Sequence, residues 1–256
     1  MVSNFLYKYR NFGKYTDNII KNSSLFLSPI KQFNDPFDSS LSYHQYYTRS
    51  AILKYWKESF KTHKKAALCL GYRKDYIRKA IKLYSKSEKF VEQHNRIRQH
   101  ARDKMGVLSL SRTPTSILMW SHYASNHTGL VFEFEPKYRT SCLAKPIKVD
   151  YKISYDVLSY VVERKAREEQ YIKELLTKFK DWEYEEEYRV IELEFNGEKK
   201  FHKDELKSII FGLKATPKDM DAMIQLCQTN GFLHVKFQKA EAVHGKFELT
   251  IRDLQI

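Results

Sequence analysis

The chain has 256 residues, 42% of them hydrophobic and 14% aromatic, which excludes a disordered polypeptide and fits one domain with room for an insertion. Only 8 Gly and 6 Pro leave little material for linkers, and no apolar run nears the roughly 18 residues of a membrane-spanning helix. The net charge of +14 is regional: residues 49–104 hold 17 Lys or Arg against 5 Asp or Glu, while the remainder is nearly balanced.

A regional excess of that kind points to an acidic partner, nucleic acid first. Cys69, Cys142 and Cys227 are odd in number and widely spaced, so neither a disulfide framework nor a cysteine zinc site is expected. The first ten residues lack the apolar core and cleavage site of a signal peptide. The expected compartment is the reducing cytoplasm, with no membrane partner.

In chain order, Phe5 to Arg10 reads as an aromatic-rich strand and the residues to about Lys21 as a helix. Leu25 to Ser28 is a short extended run stopped by Pro29. In Phe33-Asn34-Asp35-Pro36-Phe37 the proline forces Asp35 toward extended geometry, giving a rigid turn. Two readings stand there: a loop held by Phe33 and Phe37 packing inward, or Asn34 and Asp35 presented at a pocket edge. Residues 43–105 have helical periodicity and read as three or four basic amphipathic helices inserted into a single domain spanning 1–256. One stripe is Tyr76, Ile77, Ala80, Ile81 and Tyr84. Tyrosines at 43, 46, 47, 55 and 72 are also interleaved, and more of these are expected in a core than as base-stacking platforms. His63, His94 and His100 lack metal-ligand spacing.

The pattern then switches. Val107 to Ser111 alternates apolar and hydroxyl residues, setting Ser109 and Ser111 on one strand face. Thr113-Pro114 is expected to open a helix through Ala124, and Leu130 to Glu135 to be the next strand. Ser109, Ser111, His122, Tyr123 and His127 fall close together, as a candidate site or as core and loop residues. Ile147 to Lys152 reads as a strand and Asp156 to Lys180 as a charged helix. The acidic stretch from Trp182 to Val190 follows. If it is all strand, Glu185, Glu187 and Arg189 share one face, either as a solvated edge that discourages strand pairing or as a site. Leu206 to Gly212 holds a strand, Thr216-Pro217 starts a helix that Asn230-Gly231 stops, and His234 to Phe237 and Phe247 to Ile251 close a mixed α+β sheet.

Three blocks resemble a bacterial family long labelled only as a domain of unknown function, found in phage-defence and toxin settings. They are Leu6 to Arg10 with Phe33 to Phe37, Ser109 through Met119-Trp120-Ser121-His122-Tyr123-Ala124 to Gly129, and Trp182 to Arg189. More distantly, a polar first strand, a Ser-bearing central strand with a Tyr-bearing helix, and a late Glu-x-Glu resemble the core of ADP-ribosyltransferases. That resemblance implies an ADP-ribosyltransferase fold with a basic helical insertion, and NAD as substrate. Lys8, Tyr9 or Arg10 would hold the NAD phosphates or ribose, with Asn34, Ser109, Ser111, His122 and Tyr123 lining the site. Glu187 would be the catalytic carboxylate, with Glu185 as its companion. The central strand departs from that family's pattern in reading Ser-Leu-Ser, without a middle Thr.

The implied activity is transfer of ADP-ribose to a macromolecule, with nucleic acid steered by the helices of 49–104 and an antitoxin as a further partner. Two competing classes are a metal-dependent nuclease built on Asp35, Glu185 and Glu187 and a non-catalytic nucleic-acid-binding module.

Overall fold

A computed structural model describes residues 5–69, 79, 81–162 and 164–255. Tyr72, Tyr76, Ile77 and Ala80 lie outside the described residues, as do the side chains of His63 and Cys69. The protein is mixed α+β. Its strands are β1 (Leu6–Arg10), β2 (Ser24–Pro29), β3 (Gly106–Ser111), β4 (Leu130–Phe134), β5 (Ile147–Lys148) and β6 (Asp150–Lys152). They continue as β7 (Thr177–Phe179), β8 (Glu187–Glu192), β9 (Gly197–Lys200), β10 (Leu206–Phe211), β11 (Lys236–Ala242) and β12 (Leu249–Asp253). The helices are α1 (Lys14–Asn22), α2 (Arg49–Cys69), α3 (Ser87–Lys104), α4 (Ile117–Tyr123), α5 (Arg164–Leu176) and α6 (Pro217–Thr229). No helix among the described residues is long and apolar enough to cross a membrane.

The main sheet runs β12-β11-β10-β4-β1-β3-β2-β9, with β8 pairing β3 and β5. Its ladders are antiparallel except for β10–β11, which α6 connects. That helix starts where expected: the Thr216 side chain accepts from the Asp219 N–H and Pro217 fills the first turn. Alternation along β1 sorts its side chains. Leu6 joins the core under α1 and α6, while Tyr7 and Tyr9 pack on the opposite face against Met119 and Trp120 of α4.

The strand order creates an opening. β8 follows β3 along its whole length, from Gly106↔Glu192 to Ser111↔Glu187. On the other side β1 meets β3 only at Tyr7↔Ser111, and β2 only at Ser28↔Val107 and Pro29↔Gly106. Between those contacts β1 and β2 part from β3, and the Lys8 ammonium reaches the Ser109 carbonyl at 2.8 Å.

The described part of the insertion has its own core. Tyr43, Tyr47 and Tyr55 are buried with Ile52, Phe90 and Tyr160, so these tyrosines are packing residues. His94 is buried with them, and burial pushes its imidazole down to about 4, against the bond to the Phe90 carbonyl. Burial of Glu174 beneath Arg98 and Arg102, with Tyr43 bonded to it, ties α3 to α5.

Several expected boundaries move. The Asp156–Lys180 helix is shorter, spanning Arg164–Leu176, after which Thr177–Phe179 turns extended and pairs parallel with β6. The Ile147–Lys152 strand divides at Val149, since β5 pairs with β8 and β6 with β7. Helix α4 begins after Ser116, whose side chain accepts from Met119 N–H, so Pro114 stands outside its first turn. Its carbonyl instead takes the Trp120 indole N–H at 2.7 Å. Phe37 points outward instead of packing inward, and is 79% exposed.

Candidate active site

The acidic stretch is built differently from a simple strand. Lys180–Glu185 forms a 3-10 turn, Glu186 takes a left-handed conformation at φ 44°, and extended pairing starts at Glu187. Glu185 is therefore not on the strand, which corrects the expected three-residue face. The turn instead folds Glu185 back beside Glu187, and the two are only 3% and 4% exposed. The solvated-edge reading fails as well, because β8 lies between β3 and β5. The register Ser111↔Glu187 and Ser109↔Arg189 sets those four residues on one sheet face.

Arg189 organises the buried charges. Its Nε and Nη2 donate to the Glu187 carboxylate at 2.8 and 2.9 Å, and its Nη1 and Nη2 donate to Asp38 at 2.9 and 2.6 Å. Both pairs are bidentate, the arrangement in which a planar guanidinium binds most strongly. Ser39 Oγ and the Leu175 carbonyl also accept from Nη1, and the Phe33 ring lies 5.2 Å from the guanidinium.

Lys178 joins the three carboxylates. Its Nζ lies 2.5 Å from Glu185 Oε2, 3.1 Å from Glu187 Oε2 and 3.6 Å from Asp38 Oδ2. On the cleft side, Tyr123 OH donates to Glu185 Oε1 at 2.7 Å, and Asn34 Nδ2 donates to Tyr123 at 3.3 Å. Ser111 Oγ donates to the Glu185 carbonyl at 2.7 Å, and the Glu187 N–H donates to Tyr151 OH at 2.8 Å.

Three carboxylates against two cations leave one negative charge in excess, and the two glutamates respond in opposite directions. Burial would raise the Glu187 carboxyl, but Arg189 and Lys178 outweigh it and hold it at about 2. Burial raises Glu185, and the neighbouring Glu187 charge adds to the rise, against the pull of Lys178. Glu187 is thus a fixed anion and Glu185 the member able to carry a proton, a division typical of paired catalytic carboxylates. Burial would depress the Lys178 ammonium, but Glu187, Glu185 and Asp38 raise it, so it stays charged. Lys8 behaves otherwise: burial and the adjacent Arg10 bring it down to about 8, despite the glutamates.

Lys8, Tyr9, Asn34, Ser109, Ser111, Tyr123, Glu185 and Glu187 all line one cleft of about 120 Å³, beside Phe33 and Met119. Two expected site residues do not. His122 is exposed on α4, its ring 6.3 Å from those of Tyr123 and Tyr184. Arg10 lies beyond the β1–β3 contact and lines a neighbouring cavity of about 470 Å³, which Lys8 shares. Asp35 also stays outside, its Oδ1 accepting the Phe37 N–H at 2.8 Å. His127 is a loop residue: with Ser125 and Asn126 it forms a left-handed run, and it pairs with Ser121. Gly129 is needed there because a Cβ would stand 2.3 Å from the Arg10 carbonyl oxygen.

Asp38 and Lys178 were missed by the sequence reading. The only local signal for Asp38 was a third acid-or-amide position in the Asn-Asp-Pro-Phe-Asp loop. Lys178 was hidden inside an apparent charged helix.

Residues 119–190 match the family described as Protein of unknown function (DUF2971). The matched segment covers under a third of the chain but holds Tyr123, Tyr151, Lys178, Glu185, Glu187 and Arg189. Lys8, Asn34 and Asp38 lie N-terminal to it. Comparison with curated proteins and with solved structures finds no significant match.

Proposed function

We propose that the cleft is the active site of an ADP-ribosyltransferase-like enzyme that cleaves the nicotinamide–ribose bond of NAD and passes ADP-ribose to a macromolecule. The observation that carries this reading is the convergence of Lys8, Ser109, Tyr123, Glu185 and Glu187 on one cleft from three separate parts of the chain. When bound, NAD supplies an anomeric carbon that becomes cationic as nicotinamide departs with the bonding electrons. The new bond to that carbon is made by the acceptor's lone pair, and the acceptor's proton passes to Glu185 and then to solvent.

The chain's own residues suit that chemistry. Glu187, kept ionised by Arg189 and Lys178, is a preorganised anion for the developing charge. Glu185 is positioned by Tyr123, and its raised carboxyl is suited to take the acceptor proton. Burial and the nearby Glu185 raise the Tyr123 phenol, so it remains a donor. A diphosphate fits the neighbouring cavity, where Lys8 and Arg10 form no ion pair with a described residue. The Arg10 side chain lines that cavity, and its buried Nε has no hydrogen-bond partner among the described residues; a guanidinium in a cavity wall is chemistry for an anionic ligand.

The competing nuclease arrangement finds less support. Asp35 stands apart from Glu185 and Glu187, whose oxygens are already engaged by Lys178 and Arg189. Toxin or defence roles, and an antitoxin that covers the cleft, would follow from the same activity acting on a cellular target.

The test is incubation of the purified protein with NAD labelled in its adenylate, scored for nicotinamide release and label transfer to protein, RNA and DNA. Glu187→Gln is expected to lower the rate by roughly 10²–10³-fold, the scale of losing one preorganised electrostatic contact. Glu185→Gln is expected to lower transfer more than NAD cleavage. No nicotinamide release by the wild-type protein with any acceptor would overturn the reading.

A further inference from the structure

The cleft of Glu185 and Glu187, at about 120 Å³, has room for one end of a dinucleotide, and the cavity beside it measures about 470 Å³. Lys8 lines both, and Arg10 lines the larger one. A dinucleotide carries its diphosphate at its middle. With one ribose at Glu187 and the diphosphate at Lys8 and Arg10, the second nucleoside has the larger cavity to enter.

Other walls of that cavity suit a nucleoside. Strands β2 and β9 pair with Phe26 opposite Glu198. Alternation turns Ser24, Phe26 and Glu198 to one face, while Leu25 and Leu27 go into the core. Helix α1 adds Tyr15, one turn before the buried Ile19. Tyr15 is 80% exposed and Phe26 49%, and neither stacks on another ring of the described residues. Open aromatic faces in a cavity that also holds cations are a stacking surface for a base with its phosphates nearby.

The single carboxylate in the cavity wall is Glu198. Its Oε2 accepts from Ser24 Oγ at 3.2 Å and from Asn22 Nδ2 at 3.4 Å. Its Oε1 takes no hydrogen bond from a described residue, and Glu198 forms no ion pair with Lys8, Arg10 or any other described cation. The cavity thus presents two cations and, apart from them, a carboxylate with a free acceptor oxygen. Inorganic phosphate or diphosphate would draw on the cations and be repelled by the carboxylate. A carboxylate set in this way bonds the hydroxyls of a ribose, and it rejects a phosphate placed on one of them.

We propose that Glu198 is a specificity-determining residue: it accepts from the ribose hydroxyls of the adenosine end of NAD, and so selects NAD against its 2′-phosphorylated form, NADP. The assignment rests on the transferase reading above. Tyr15 and Phe26 supply the surface against which the adenine lies.

Isothermal titration calorimetry with ADP, with ADP phosphorylated at its 2′-hydroxyl, and with pyrophosphate tests the assignment without requiring turnover. ADP is expected to bind roughly tenfold or more tightly than its 2′-phosphorylated form, the scale of one like-charge contact. Glu198→Gln keeps the shape and an acceptor oxygen but removes the charge, and should bring the two to within about threefold of each other. Tyr15→Ala should weaken ADP roughly tenfold, the scale of losing a base–aromatic contact, and leave pyrophosphate unchanged. Both side chains are exposed, so neither variant carries a folding penalty. Equal affinity of the wild-type protein for the two nucleotides overturns the proposal, as does an unchanged ratio in Glu198→Gln. ADP binding no tighter than pyrophosphate, or absent, also overturns it, because the cavity would then seat no nucleoside. The expected selectivity in a protein that never releases nicotinamide would leave the nucleoside site standing and remove only the transferase reading. Nicotinamide release from NAD and NADP with equal kcat/KM would do the reverse.

Discussion

Two buried ion clusters stand four residues apart on the α5–β7 segment, each one charge out of balance, and they differ in the sign of that excess and in access. Glu174 is held between Arg98 and Arg102, with Tyr43 bonded to the same carboxylate, and it lines none of the cavities described above. Its role is to fasten the basic insertion to α5. Lys178 and Arg189 instead hold Asp38, Glu185 and Glu187, a set one carboxylate in excess of its cations, and this set opens on a cleft. Burial of charge is common to both. What separates a fastening from a site is access, because an excess charge that lines a cleft is one whose energy a proton or a substrate can change.

The largest expected effect is at Arg189. Arg189→Met leaves Asp38 and Glu187 buried without their guanidinium, and breaking such a pair costs about 3–5 kcal/mol. At roughly 2–4 °C per kcal/mol, Tm is expected to fall by about 10 °C in thermal unfolding. Adding Asp38→Asn should recover part of that fall by removing one orphaned charge. A double variant no more stable than the single would mean that Arg189 acts by packing. The acid limb carries the same information. The folded Glu187 carboxyl sits at about 2, below its unfolded value, so its stabilisation is complete above the ordinary carboxylate range and is lost as pH falls through about 2.

Glu174→Gln should have a smaller effect, about 2 kcal/mol, because Arg98 and Arg102 retain partial access to water once their partner is neutral. Nicotinamide release should persist in this variant. If release is abolished while the fold survives, the two clusters are coupled through α5, and the contrast between them fails.

How much of this was legible in the sequence follows from how local each signal was. β1, α1, β2, β3, β4, β10 and α6 were readable because periodicity, a proline or a cap marks each within a few residues. The residues of the cleft were readable as blocks, since Ser109, Tyr123 and Glu187 each stand in a recognisable run. The geometry between Glu185 and Glu187 was not, because a left-handed Glu186 ends a 3-10 turn where alternation alone suggests continuous strand. Lys178 was lost because three residues of strand directly after a 13-residue helix carry too little period to interrupt it. Asp38 finds its partner 151 positions away in Arg189, and nothing near it in the chain announces that pairing.

The smallest predicted effect concerns the cation that belongs to neither cluster. Among the described residues Lys8 bonds only the Ser109 carbonyl; it faces the cavity that also holds Arg10, and burial and the repulsion of Arg10 bring it down to about 8. Below that pH it is an ammonium and attracts an anionic ligand. Above it the charge is lost, and with it that part of the binding. The apparent KM for NAD is therefore expected to rise several-fold between pH 7 and pH 9, with kcat nearly unchanged. Lys8→Arg keeps the charge throughout this range, since a guanidinium does not deprotonate there. That variant should flatten the KM profile even if its absolute KM is higher. A KM rise that survives Lys8→Arg would assign the titration to another group and leave Lys8 as a structural tie to β3. A flat profile in the wild-type protein would show that the cavity holding Lys8 and Arg10 does not bind the charged part of the substrate.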